Sequence, residues 1–238
     1  PYLARTVDLL DRAGANVHAS GDRRTLRSGP PAADRLGLDG FELDIEPDAS
    51  GATYFWTAAA ITPGARARVP GLNDRSIQGD VGYVRLLERM GCAVEHDADG
   101  IAVTGPARLQ PILADLGDMP DTAMSLAAAC VFARGTSILK GLRTLRVKET
   151  DRIAAMEAEL TKLGVDVRVQ GDDAITITPP ENGLGGTPVA FDTYDDHRMA
   201  MSLALIGLRR PNIAINDPGC VRKTYPGFWR DLDRLYAD

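Results

Sequence analysis

The strongest constraint on this chain is that it repeats itself, which restricts the fold to one assembled from like units. The segment Leu9-Leu10-Asp11-Arg12-Ala13-Gly14-Ala15-Asn16-Val17 recurs as Leu86-Leu87-Glu88-Arg89-Met90-Gly91-Cys92-Ala93-Val94. It recurs again as Glu159-Leu160-Thr161-Lys162-Leu163-Gly164-Val165-Asp166-Val167. Gly14, Gly91 and Gly164 lie 77 and then 73 positions apart. Each copy reads as a helix stopped by glycine, followed by a strand of alternating character. A second strand follows each time, at 25–30, 101–106 and 175–180, across polar turns such as Asp97-Ala98-Asp99-Gly100 and Gly171-Asp172-Asp173. These pairs read as hairpins.

A different helix recurs between the hairpins. Residues 52–62, 122–134 and 198–208 are Ala-rich and apolar almost all round, the pattern of a helix buried on every side. A turn and a strand follow each: 65–69 after Pro63-Gly64, 136–140 after Gly135, and 212–215 after Arg210-Pro211. The unit is therefore β-α-β-α-β-β, used about two and a half times. The expected fold class is α/β, an inside-out domain with buried helices and outer sheets. The polar stretch 20–40 ends just before Glu46-Pro47, where a crossover into a new domain is expected. This divides the chain into residues 1–46 and 47–238. Gly183-Leu184-Gly185-Gly186 has neither the spacing nor the following helix of a nucleotide-binding loop.

The 27 basic and 33 acidic residues give a net charge of −6, which argues against nucleic-acid or anionic-membrane partners. Cys92, Cys130 and Cys220 are odd in number and far apart, so a reducing, cytoplasmic setting is expected. His18, His96 and His197 are too scattered for a metal cluster, and no metal or cofactor is implied. The longest apolar run, 123–133, falls short of the ~18 residues of a membrane span. The chain opens Pro1-Tyr2-Leu3, without Met or signal peptide, and residues 7–13 read as the end of a helix, so it is expected to begin inside a larger protein.

Three helix starts carry the wrong charge. A helix dipole disfavours cations at its N-terminus by roughly 0.3–1 kcal/mol each. Yet Lys148-Glu149-Thr150-Asp151-Arg152 opens the helix running to Leu163, and Asp195-Asp196-His197-Arg198 opens the buried helix from Met199. Arg222-Lys223 precedes Thr224-Tyr225-Pro226, where Pro226 suits the first turn of the last helix. Singly, each has an ordinary reading. Thr150 or Asp151 caps a solvated helix with Glu149 paired to Arg152; Asp195 and Asp196 are caps; Asp121 is an N-cap after Pro120; Lys223 is a solvated lysine; Tyr2 packs at a chain start. Three such anomalies at equivalent places in a repeat instead suggest a multiply charged anion held by side chains and free N–H groups.

The strings Arg146-Val147-Lys148-Glu149-Thr150-Asp151-Arg152, Tyr194-Asp195-Asp196-His197-Arg198-Met199-Ala200-Met201, Met119-Pro120-Asp121-Thr122-Ala123-Met124 and Lys223-Thr224-Tyr225-Pro226 resemble the signatures of 5-enolpyruvylshikimate-3-phosphate synthases, in order along essentially the whole chain. The resemblance implies a two-domain enzyme of β-α-β-α-β-β repeats, with residues 1–46 the tail of the N-terminal domain and 47–238 most of the C-terminal one. It implies transfer of the enolpyruvyl group of phosphoenolpyruvate to the 5-hydroxyl of shikimate 3-phosphate, with release of phosphate. These small molecules would be the partners, with no cofactor, and the full-length enzyme would be a monomer.

By the same resemblance, Asp121 is the proton acceptor and holds the shikimate hydroxyls, and Glu149 donates a proton to the methylene carbon. Tyr2, Asp121, Thr144 and Lys148 would bind shikimate 3-phosphate. Arg152, Arg198 and Lys223 would clamp the phosphate and carboxylate of phosphoenolpyruvate, a task suited to arginine forks. His197 stands beside them with no role assigned. A carboxyl between Lys148 and Arg152 tends to ionise, so the acid role of Glu149 requires burial or a bound anion. Thr144 departs from an asparagine common in the family, and the family's N-terminal phosphate ligands are absent. The chain alone is therefore expected to be inactive or very weak. Two rivals follow from the same residues: the sister transferase acting on UDP-N-acetylglucosamine, which lacks these strings, and a non-catalytic module that binds phosphorylated metabolites.

Overall fold

The glycine-stopped helices and their hairpins form where the repeats place them. In a computed structural model, which describes residues 2–22, 24–30 and 44–236, the chain opens with α1 (Tyr2–Arg12) and the hairpin β1 (Asn16–Ala19) and β2 (Leu26–Gly29). The end of the polar stretch, 31–40, lies outside the described residues. The next unit is α2 (Ala49–Ile61), β3 (Arg66–Pro70), α3 (Tyr83–Arg89), β4 (Ala93–Asp97) and β5 (Gly100–Thr104). A full unit follows: β6 (Leu113–Asp115), α4 (Ala123–Cys130), β7 (Ser137–Lys140), α5 (Arg152–Thr161), β8 (Asp166–Gln170) and β9 (Ala174–Thr178). The chain closes with β10 (Val189–Phe191), α6 (His197–Ile206), β11 (Ile213–Ile215) and α7 (Phe228–Asp233). Gly14, Gly91 and Gly164 all take positive φ, which lets the chain leave each helix and enter its hairpin.

The sheet of the full unit has the order β6-β7-β9-β8, with β6 and β7 parallel and the hairpin β8–β9 added antiparallel to β7. The preceding unit gives β3-β5-β4, all antiparallel, and the last gives the parallel pair β10-β11. Each buried helix packs beside its own sheet, and α2, α4 and α6 pack on one another. Small side chains allow this close approach: Ala52, Ala59, Ala60, Ala123, Ala127, Ala128, Ala200 and Ala204 are all buried. One hydroxyl from each helix meets at the centre, Thr53 to Ser125 at 3.0 Å and Ser125 to Ser202 at 3.4 Å. Each polar group thus finds a partner inside an otherwise apolar seam.

Two expectations need correction. The buried helix expected over 122–134 is regular only over Ala123–Cys130, because residues 131–133 tighten into turns and Ala133 bridges to Leu109. Pro226 does not open the last helix: α7 begins at Phe228, and Lys223 ends a separate 3-10 turn, Pro218–Lys223. Only two of the three misplaced cations therefore sit at helix N-termini. Among the described residues no helix is long and apolar enough to cross a membrane, and no His, Cys, Asp or Glu group could hold a metal ion.

Gly105 follows β5 where the backbone of α2 presses close. A Cβ there would lie 2.1 Å from the Ala59 carbonyl oxygen and 2.5 Å from that of Thr62. Because both neighbours are backbone, Gly105→Ala should cost about 1–3 kcal/mol. Thermal unfolding should show the midpoint fall by roughly 2–4 °C per kcal/mol.

Candidate active site

At one end of the three-helix core, loops from separate repeats converge on the guanidinium of Arg152. This is the first residue of α5, capped by Asp151, whose carboxylate accepts from the Ile153 and Ala154 N–H groups at 3.1 Å. The Arg152 side chain is only 1 % exposed. Its Nε donates to Asp196 Oδ2 at 2.7 Å and its Nη2 to Asp196 Oδ1 at 3.3 Å. Nη2 also donates to Glu149 Oε2 at 2.7 Å, and Nη1 to Asp121 Oδ1 at 2.9 Å. Four of the five N–H donors of an arginine are thereby engaged. Removing this cation would leave the buried Asp196 without its ion-pair partner.

The carboxylates come from three places. Asp121 lies in the 3-10 turn Pro120–Thr122 leading into α4, so it does not act as a simple cap. Glu149 precedes α5, after the turn Arg143–Val147. Asp196 is fully buried and caps α6, accepting from the Arg198 N–H at 2.8 Å while gripping Arg152. Three further cations face them. Lys148 Nζ is 3.4 Å and Arg198 Nη2 3.3 Å from Asp121, on opposite oxygens. Lys223 Nζ donates to Glu149 Oε1. Three carboxylates thus face four fixed cations.

Burial alone would raise the Asp121 pKa, but Arg198, Lys148 and Arg152 together hold it below its ordinary value. For Glu149 the same contest ends at about 2: slight burial pushes up, and the Lys223 hydrogen bond and the charges of Arg152 and Lys223 pull down. Both are carboxylates at neutral pH. Burial, with Arg198 next, lowers the pKa of His197, so this imidazole is neutral at pH 7; its Nδ1 is 3.9 Å from Asp196 Oδ1 and makes no hydrogen bond among the described residues. The buried Tyr54 hydroxyl lies beside Arg198, and burial raises its pKa to about 12.

The structure therefore brings together Asp121, Lys148, Glu149, Arg152, Arg198 and Lys223. Arg152, expected in the ligand clamp, lies buried behind the carboxylates, with four of its five N–H groups engaged by them. Tyr2, at the start of α1, stands at the edge, where burial and then Asp80 and Asp121 raise its pKa. Thr144 stays exposed in the 3-10 turn Arg143–Val147 and adds no side-chain bond to the cluster. Sequence reasoning missed Asp196 as more than a cap, and missed Tyr54 and Asp80. Asp80 is buried, accepts from Ser50 Oγ, and has its pKa raised by burial within reach of Arg198 and Asp121. Distance along the chain left no signal for Tyr54 or Asp80.

The enclosed helices, the outer sheets and the charged cluster at the helix starts fit an α/β domain of the enolpyruvyl transferase type. The enolpyruvyl transferase NikO from Streptomyces tendae has the same fold, with a TM-score of 0.69 at 21% identity over 98% of this chain and 52% of that one. The family description "EPSP synthase (3-phosphoshikimate 1-carboxyvinyltransferase)" matches residues 1–232, and the chain belongs to the EPSP synthase family. It is 44% identical over 231 residues to the 3-phosphoshikimate 1-carboxyvinyltransferase of Thiobacillus denitrificans, covering 96% of this chain and 52% of that protein. It is likewise 44% identical over 242 residues to that of Burkholderia lata, covering 100% of this chain and 53% of that protein. EPSP synthase from Acinetobacter baumannii superposes with a TM-score of 0.76 at 26% identity, over 94% of this chain and 52% of that one. The chain spans about half the length of these relatives.

Arg152→Met should destabilise the chain by about 3–5 kcal/mol near pH 7, because it leaves Asp196 buried and unpaired. Asp121 and Glu149 have depressed folded-state pKa values, so the stability they contribute through Arg152 is present above the ordinary carboxyl range. It is lost as pH falls towards about 2, the Glu149 value. Urea titrations of both proteins should show the deficit shrink as pH falls through that window.

Proposed function

We propose that this chain supplies the C-terminal half of an enzyme that transfers the enolpyruvyl group of phosphoenolpyruvate to the 5-hydroxyl of shikimate 3-phosphate and releases phosphate. One observation carries this reading. The signature residues Asp121, Lys148, Glu149, Arg152, Arg198 and Lys223 come from four separate segments, yet they form one bonded cluster with more cations than carboxylates. Residues 1–46 would be the tail of the first domain and 47–238 the second. The net charge of −6 speaks against a nucleic-acid partner, and the scattered cysteines support a reducing, cytoplasmic setting.

In this reading Arg198, Lys223 and the spare N–H of Arg152 receive the phosphate and carboxylate of phosphoenolpyruvate, and Lys148 and Tyr2 meet shikimate 3-phosphate. Asp121 takes the proton of the 5-hydroxyl as its oxygen attacks the central carbon of phosphoenolpyruvate, and Glu149 gives a proton to the methylene carbon. The resulting tetrahedral intermediate loses phosphate and returns a proton from the new methyl group, which restores the double bond. Glu149 is a carboxylate at rest, so it becomes an acid only when the substrate's phosphate draws Lys223 away. Loss of that cation raises its pKa.

Phosphate release from the two substrates tests the proposal. The 238-residue chain alone should stay at background, and restoring the N-terminal half should bring turnover. In the restored protein, Asp121→Asn should cut kcat by ~10²–10⁴ with substrate binding retained, the range for a lost general base. Turnover by the chain alone would refute the split site, and an inactive restored protein would refute the reaction.

A further inference from the structure

We infer that Glu159 is a positioning residue: it holds the left-handed turn from which Asp196 and Arg198 enter the anion-binding cluster. The turn runs from Thr193 to Asp196 and is closed by a hydrogen bond from the Asp196 N–H to the Thr193 carbonyl, at 2.8 Å. Its two central residues, Tyr194 and Asp195, have φ of 57° and 54°. Glycine and asparagine favour such a turn, whereas a tyrosine there is an outlier. Among the described non-glycine residues with positive φ, the others are Asp195, Asn212 and Asp217, types that tolerate this region. Such strain persists only where surrounding bonds over-determine it.

Those bonds converge on Glu159, a fully buried carboxylate on the last turn of α5. Its Oε1 accepts from the Tyr194 hydroxyl at 2.7 Å. Its Oε2 accepts from the Asp192 N–H at 2.9 Å and from Lys162 Nζ at 2.7 Å. Lys162 in turn binds Asp192 Oδ2 at 2.9 Å and the Ala190 carbonyl at 3.2 Å. The segment is thus clamped on the N-terminal side of the turn, immediately before Asp196 seizes Arg152. The same helix carries Arg152 at one end and the clamp at the other, so α5 fixes both partners of that ion pair.

The kinetic test rests on the proposed reaction; a second test does not. In the protein with its N-terminal half restored, Glu159→Ala should lower kcat/KM at least tenfold, with KM for phosphoenolpyruvate rising more than KM for shikimate 3-phosphate. Adding Tyr194→Gly should recover most of the loss, because glycine takes the left-handed conformation at that position without the clamp. The second test follows His197 by proton NMR in the 238-residue chain, assigned among the three histidines with His197→Gln. His197 faces Asp196 and Arg198 on α6 and Glu149 and Arg152 at the start of α5, and its titration in Glu159→Ala should move up towards 6.5 as burial is lost. Tyr194→Phe, which removes one hydroxyl, should give smaller changes of the same sign, and it stands in if Glu159→Ala does not fold. An unmoved His197 titration overturns the proposal, and so does a kinetic loss that Tyr194→Gly leaves unrepaired. If the restored wild-type protein shows no turnover, the reaction assignment falls, and the His197 titration alone decides this one.

Discussion

Burying a guanidinium costs several kcal/mol, and the arrangement of this chain follows from how that cost is met at Arg152. Its side chain is 1 % exposed and bound by Asp121, Glu149 and Asp196. Each carboxylate belongs to a different approach to the helical core. Asp121 leads into α4, Glu149 into α5, and Asp196 caps α6. One cation therefore fixes the starts of three helices relative to one another. It also places a positive charge where the dipole of α5 disfavours it, an opposition of roughly 0.3–1 kcal/mol that is small beside three charge-assisted contacts.

That junction requires the helices to arrive side by side, which the core composition makes possible. Alanines along α2, α4 and α6 bring the backbones close, and Thr53, Ser125 and Ser202 satisfy one another where the three seams meet. Larger side chains at these positions would spread the helix starts and open the distances to Arg152. The sheets contribute from outside. Each packs against the helices of its own unit, so repetition of the unit sets the spacing of the site.

The repeats, the hairpins and the identity of the buried helices were legible because they rest on local periodicity and on glycines that end helices. The cluster was legible in part, since Lys148, Glu149 and Arg152 are near neighbours with an anomalous charge for a helix start. Asp196 was read only as a cap, because a sequence cannot show that a cap also meets an arginine forty-four positions away. Lys223 was misplaced for the opposite reason. Pro226 is a local signal for a helix start, but the preceding 3-10 turn and the packing of Phe228 postpone the helix by two residues. Tyr54 and Asp80 gave no signal, because only the assembly of α2 against α6 and the loop before α3 brings them to Arg198.

The cations of the cluster are unequal in how firmly they are held, and this sets what an arriving anion can do. Arg152 is enclosed and Arg198 nearly so, with side-chain exposures of 1 % and 14 %. Lys223 is 57 % exposed and, among the described residues, joined only to Glu149, and an exposed pair of this kind contributes at most about 1 kcal/mol. In the proposed reaction a multiply charged anion would therefore exchange Lys223 first, while the enclosed arginines keep the carboxylates in place. That exchange would remove the hydrogen bond that does most to hold the Glu149 pKa down. Under the proposed function, binding and protonation of Glu149 would thereby be coupled: the group is a carboxylate with Lys223 in place and would gain acid character only when an anion is present to use it. The buried arginine makes this coupling local, because it holds Asp121 and Asp196 still while Glu149 changes state.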